Sequence, residues 1–210
     1  MNDGHLTPTA PRASLRFRFV RAVRRVLRID RERRWNAQYA AGTWTRLRAL
    51  DELAHHAVLA GYFARLKPGG SLLDVGCGEG VFHEQLRGCY SRYVGCDFAE
   101  AVRVANAKSD ERTSFVTADM HDFTTSERFD AIVFNESLYY HHEPLQGLQR
   151  FAEFLLPDGV LLISMHRTER NDRLWAQFDA HFTVCDAVQL TNQQGVQWTT
   201  KVLMVPTSFA

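Results

Sequence analysis

From residue 71 onward, short apolar runs alternate with stretches whose apolar residues recur at helical spacing. The runs Ser71–Val75, Tyr93–Cys96, Ser114–Thr117, Phe129–Phe134 and Gly159–Met165 read as strands. Val81–Leu86, Ala99–Ala107 and Pro144–Leu156 read as the helices between them. Strands that are apolar on both faces and separated by helices predict a parallel sheet covered on both sides, an α/β doubly wound, Rossmann-like fold. The tail breaks the alternation. A helix is expected over Arg173–Phe182, then strands Val184–Leu190 and Val196–Val205 flank the turn NQQG, a terminal pair that is at least partly antiparallel. That makes about seven strands.

Upstream, Leu47–Leu66 reads as a helix closed by Pro68-Gly69-Gly70. It is preceded by WNAQYAAGTW, and residues 35–66 together suggest a helical lid on a single domain spanning 35–210. Residues 1–14 show no periodicity and are expected to be a disordered tail. Residues 15–34 are expected to form a basic amphipathic helix. Leu15, Phe19, Ala22, Val23, Val26, Leu27 and Ile29 fall on one half of the wheel, and Arg18, Arg21, Arg24, Arg25 and Arg28 on the other.

Charge sharpens that contrast. Between Arg12 and Arg34 ten arginines face two acids, a net of +8, so the rest of the chain sums to −7 within an overall +1. A helix of this kind suits contact with an anionic membrane surface, here the inner face. It also suits packing of its apolar face on the body of the domain or on a second subunit, with the arginines solvated. No apolar run approaches the roughly 20 residues of a membrane span. Cys77, Cys89, Cys96 and Cys185 form no CxxC pair, which argues against a disulfide framework or structural zinc and fits a cytoplasmic protein.

The candidate chemistry begins at LLDVGCGEG, residues 72–80. Glycines where a strand turns into a helix permit close ligand approach at the carboxyl end of the sheet. A phosphate loop, GxxxxGKS/T, fails because Val81 and Phe82 follow Gly80 with no lysine. A GxGxxG dinucleotide turn is weakened because its third glycine would be Val81. The remaining pattern sets Asp74 before Gly76, Gly78 and Gly80. That acid would repel a pyrophosphate and suit a ligand with an ammonium group and no phosphate.

This stretch resembles the first motif of class I S-adenosylmethionine-dependent methyltransferases, and the resemblance continues over residues 35–205. YVGCDFAE puts Asp97 and Phe98 at the end of the second strand, where the resemblance implies ribose binding. VTADMHDF puts Asp119 and Met120 where it implies contacts to the adenine. Gly76, Cys77, Gly78 and Gly80 would cradle the methionine end, with Asn135 after the fourth strand. Asp97 and Asp119 would serve equally as helix N-caps, and Cys77 as a small packing residue.

FDAIVFNESLYYHH matches the family's loop beside the reacting methyl. His141 or His142 is the expected base, with Glu136 orienting it. No metal is expected, for want of a third ligand group. NES in place of Asp/Asn-Pro-Pro-Tyr/Phe, and the lack of a Pro-Cys pair, argue against a nucleic-acid acceptor. Glu136 and Glu143 are too close for the protein-arginine pattern. A small-molecule or saccharide acceptor remains, walled by Trp35, Tyr39, Trp44, Tyr139 and Tyr140, all of which could instead be packing residues. A looser resemblance is to small bacterial methyltransferases that modify saccharides, including lipid-linked ones. The alternatives are a non-catalytic S-adenosylmethionine-binding scaffold or, less well supported, a nicotinamide oxidoreductase. The oligomeric state is open.

Overall fold

The computed structural model describes residues 29–206. The expected tail and most of the arginine-rich segment lie outside the described residues. Residues 29–40 form a helix, α1. It is followed by a 3-10 turn at Thr45–Arg48 and by α2 (Leu50–Leu66). The single helix expected over Leu47–Leu66 is thus broken at Ala49, whose ψ of 156° is extended.

The sheet has seven strands: β1 (Ser71–Val75), β2 (Arg92–Asp97), β3 (Thr113–Thr117), β4 (Phe129–Asn135), β5 (Leu155–His166), β6 (Thr183–Thr191) and β7 (Gln197–Met204). Their order is β3-β2-β1-β4-β5-β7-β6. The first five are parallel, and β7 runs antiparallel between β5 and β6. The intervening helices are α3 (Val81–Leu86), α4 (Ala99–Ala105), α5 (Pro144–Ala152) and α6 (Glu169–Asp179).

Two expected boundaries moved. The helix predicted to reach Leu156 ends at Ala152, because Leu155 already pairs with Phe129 and the chain bends through a positive φ of 62° at Asp158 before β5 resumes. The helix predicted from Arg173 starts at Glu169, where Thr168 accepts the Asn171 N–H as an N-cap.

Alternation along the strands builds two cores. Leu73, Val75, Ile132, Phe134, Leu161 and Ile163 point to one face and meet Leu148, Phe151 and Phe178 of α5 and α6. Leu72, Ala131, Val133 and Leu162 point to the other and meet Leu59, Phe63 and Phe82 of α2 and α3. Each such fully buried side chain contributes about 1.5–3 kcal/mol, so both faces fix the sheet firmly. The order of connection reverses between β1 and β4, and the carboxyl ends of those strands open towards α1 and the first turns of α2.

Candidate active site

A cavity of about 340 Å³ lies at that switch point. Its floor is the acid–glycine turn after β1. Gly76, Gly78 and Gly80 all have positive φ, between 54° and 78°. At Gly76 a Cβ would stand 2.5 Å from Ser137 Cβ, so glycine is required by space as well as by conformation. At Gly78 a Cβ would meet the Tyr39 hydroxyl at 3.1 Å. Cys77 is buried, with burial pushing its thiol well up, and its Sγ fits against the bare backbone of Gly95. Gly80 is outside the cavity wall. It packs against Phe115 and starts α3.

Three carboxylates face the cavity from successive strand ends. Asp74 of β1 is buried. Its Oδ2 accepts from the Tyr93 hydroxyl at 2.6 Å, while Oδ1 is buried with no partner. Burial pushes Asp74 up to about 7, with the Tyr93 hydrogen bond pulling the other way. Asp97 of β2 accepts the Gly78 N–H at 2.8 Å and the Phe98 N–H at 2.6 Å, tying the second strand end to the glycine turn. Burial raises it to about 6 against those two bonds. Asp119, after β3, behaves oppositely. Burial would raise it, but hydrogen bonds from the His121 ring and backbone, with Arg31 nearby, hold it at about 2. Its Oδ1 is 2.5 Å from His121 Nδ1, and Arg31 stands 3.5 Å from Oδ2. Phe98 and Met120 line the same wall.

Opposite them, Trp35 and Trp44 stack at 5.3 Å, and Tyr140 meets Trp35 edge-on at 4.9 Å. Tyr39 and Tyr139 complete this aromatic wall. All five aromatics expected at the acceptor end therefore share one cavity with the glycine turn.

The expected base is where sequence and geometry part. Neither His141 nor His142 lines the cavity, and neither touches Glu136. His141 is buried against Gly147, and burial beside two histidines pushes it down to about 4. Glu136 instead holds His166, at the end of β5. Its Oε2 accepts from His166 Nδ1 and from the His166 backbone N–H, each at 3.0 Å, and from Tyr139 at 3.2 Å. Glu136 does so from a left-handed conformation, φ 56°, a strain of the kind that persists where function requires it. The hydrogen bond that His166 donates to Glu136 raises the His166 pKa. The signal was present in LLISMH: a histidine at the carboxyl end of a central parallel strand.

Further cavity residues also went unanticipated. His56 of α2, His121, Trp198 of β7 and Arg31 come from distant elements. His121 joins His141 and His142, bringing ring nitrogens within 4.8 Å of one another and supplying the third group that metal binding had lacked. Two of those nitrogens already accept backbone N–H groups, of Glu143 at 3.1 Å and of His142 at 3.3 Å. The three rings lie within 20° of parallel, so their in-plane lone pairs do not converge on a single point. In this arrangement they form an aromatic stack.

The strand order, the acid–glycine turn and the second acid one strand away form the class I, Rossmann-like arrangement that the sequence motifs pointed to. The chain belongs to the methyltransferase-domain family, whose sequence profile matches residues 44–197. It is 33% identical over 106 residues to nodulation protein S of Bradyrhizobium diazoefficiens, covering 47% of this chain and 50% of that one. It is 32% identical over 113 residues to the dTDP-3-amino-3,6-dideoxy-alpha-D-glucopyranose N,N-dimethyltransferase of Streptomyces fradiae, covering 51% and 44%. The chain thus spans about half the length of these relatives. Its fold matches the N-methyltransferase NodS of Bradyrhizobium japonicum in complex with S-adenosylhomocysteine, with a TM-score of 0.68 at 22% identity over 78% of this chain and 92% of that one. It also matches the 1,6-didemethyltoxoflavin-N1-methyltransferase of Burkholderia thailandensis, with a TM-score of 0.69 at 21% identity over 95% and 94%.

Proposed function

We propose that this protein transfers a methyl group from S-adenosylmethionine to an oxygen or nitrogen of a small-molecule or saccharide acceptor. The observation that carries the reading is the trio of carboxylates, Asp74, Asp97 and Asp119, turned from adjacent strand ends into one cavity. They suit a ligand with an ammonium group, a ribose diol and an exocyclic amine, in that order. The buried, partnerless Oδ1 of Asp74 supports the ammonium assignment. Asp97 is already fixed by two backbone donors, and its remaining lone pairs suit the ribose hydroxyls. Asp119 Oδ2 suits the adenine amine, with Met120 against the ring. The cavity volume lies within the usual range for a small-molecule site.

S-adenosylmethionine supplies an electrophilic methyl on a positive sulfur. The chain's contribution is alignment and proton removal. Holding acceptor and methyl in line supplies up to ~7–11 kcal/mol of barrier lowering in favourable cases. Glu136 keeps the His166 Nδ1–H donated to itself, leaving Nε2 to take the proton from an acceptor hydroxyl or ammonium. The stacked Trp35–Trp44 pair and Tyr140 offer apolar faces to a sugar or planar ring and exclude water. The amino-sugar dimethyltransferase relative supports a saccharide acceptor, and the arginine-rich segment 15–34 supports a lipid-linked one at the cytoplasmic membrane face. No helix among the described residues is long and apolar enough to cross a membrane.

Calorimetric titration with S-adenosylhomocysteine and with NAD, on wild type and Asp97→Ala, tests the cofactor. Homocysteine-adduct binding that collapses in the variant, with no NAD signal, is expected. NAD binding, or binding of neither, rejects the reading. Labelled methyl transfer to a panel of dTDP-amino sugars, chitooligosaccharides and phenols then tests the acceptor.

A further inference from the structure

His56 is part of the lid helix, four-hundredths exposed, and it lines the cavity next to Phe82 and Asn135. Its Nδ1 accepts from the Asn135 side-chain amide at 2.8 Å. The other ring nitrogen, Nε2, is buried and has no partner. Asn135 is held in turn. Its Oδ1 faces His55 Nδ1 at 2.8 Å, and His55 Nε2 faces Glu52 Oε2 at 3.2 Å. The Glu52 carboxyl sits below its usual range, chiefly through that hydrogen bond from His55. His55 thus faces two acceptors, the Glu52 carboxylate and the Asn135 oxygen, and donates to both as an imidazolium paired with Glu52. With the Asn135 oxygen committed to His55, its NH2 group must face His56, and Nδ1 of His56 must be the unprotonated nitrogen. The single proton of the ring is therefore on Nε2. Burial pushes the His56 pKa down to about 3, so the ring stays neutral and keeps that tautomer.

A buried N–H donor without an acceptor is uncommon in a folded protein and points to a missing ligand atom. A neutral donor in an apolar wall suits an anionic oxygen. We propose that His56 Nε2–H binds the carboxylate of the amino-acid end of the cofactor, opposite Asp74 and the ammonium group, with Asn135 as the positioning residue that fixes the tautomer. The proposal rests on the S-adenosylmethionine reading above.

The test compares S-adenosylhomocysteine with its decarboxylated analogue, which keeps the ammonium, sulfur and nucleoside. Affinities are measured calorimetrically on wild type, His56→Phe and His56→Gln, each shown to be folded by its thermal transition. Phe keeps a ring against Phe82 and removes the donor; Gln restores a donor near the Nε2 position. His56→Phe should weaken S-adenosylhomocysteine at least about tenfold, leave the decarboxylated analogue within about threefold, and be largely rescued in His56→Gln. Equal losses for both ligands would mean that the ring packs, or serves the ammonium from the opposite tautomer, and would overturn the assignment. So would no loss for either. If wild type binds neither ligand, the cofactor reading fails instead. If His56→Phe does not fold, the His56→Gln ratio alone decides: a preference for the carboxylated ligand as in wild type supports the donor, and its loss in a folded variant rejects it.

Discussion

Asp74→Asn should make the ligand-free protein more stable and the cofactor site worse. In the fold this carboxyl titrates at about 7, against 3.8 ordinarily, because burial penalises its charged form. The folded state therefore binds more protons than the unfolded chain between those values. Stability falls as pH rises from about 4 through about 7 and is level above. At pH 8 the full difference of about three pKa units stands against folding, or about 4 kcal/mol at 1.36 kcal/mol per unit. Asparagine removes that charge and still accepts from Tyr93. Its NH2 group, in place of the unpartnered Oδ1, is a buried unsatisfied donor costing about 1–3 kcal/mol. A net gain of about 1–3 kcal/mol remains at pH 8, shrinking towards pH 5, where wild-type Asp74 is already neutral.

The assay is urea unfolding of both proteins at pH 5 and pH 8 in the absence of ligand, with S-adenosylhomocysteine titrated at pH 8. The ligand's ammonium loses a charged acceptor in the variant, so its affinity should fall about tenfold or more. In wild type below pH 7, binding should also release a proton as Asp74 ionises, seen as a dependence of the calorimetric heat on the buffer's ionisation enthalpy. The reasoning is refuted if Asp74→Asn is less stable than wild type at pH 8, or if the stability difference between the two does not widen with pH.

Gly76→Ala should lose about 2–5 kcal/mol of stability, from a left-handed alanine and a Cβ driven into Ser137, measured by urea midpoint. His166→Ala should lower turnover about 10²–10⁴-fold with S-adenosylhomocysteine affinity intact, and a loss under tenfold removes it as the base. Because Glu136 raises the His166 pKa above 6.5, the free base accumulates, and turnover should climb, as pH rises through a value above 6.5. Glu136→Gln should move that limb to lower pH, and an unmoved limb would mean that another group titrates. His141→Ala and His142→Ala, remote from Glu136, should leave the limb in place.

The strands, and the acids that the fold brings to one cavity, were legible because their information is local. Apolar runs five to seven residues long, bounded by turn residues, fit buried strands, and an acid followed by three alternating glycines fits a tight strand–helix turn. Asp97 could be placed beside the glycine turn because it ends the strand paired with β1. Boundaries drifted where tertiary pairing overrode local preference. Leu155 has good helix propensity, yet it pairs with Phe129, and the sheet claims it.

The proposed proton-handling pair, Glu136 and His166, was illegible for a different reason, and it bears on how such sites arise. Glu136, His141 and His142 sit within seven residues of one another, so proximity in sequence favoured that pairing. In the fold, Glu136 leaves β4 in a left-handed turn and so points across to β5, whose register sets Ser164 beside Asn135 and carries His166 to the rim. Ser164 Oγ and the His166 backbone N–H both donate to that one carboxylate. The partner of a strand-end acid is thus chosen by the neighbouring strand, across a hydrogen-bonded ladder, whereas His56 reaches Asn135 from α2, outside the sheet. In a parallel sheet, candidate partners for an acid at one strand end are better sought at the ends of its neighbouring strands than in its own loop, since the ladder fixes the former and leaves the latter to local packing.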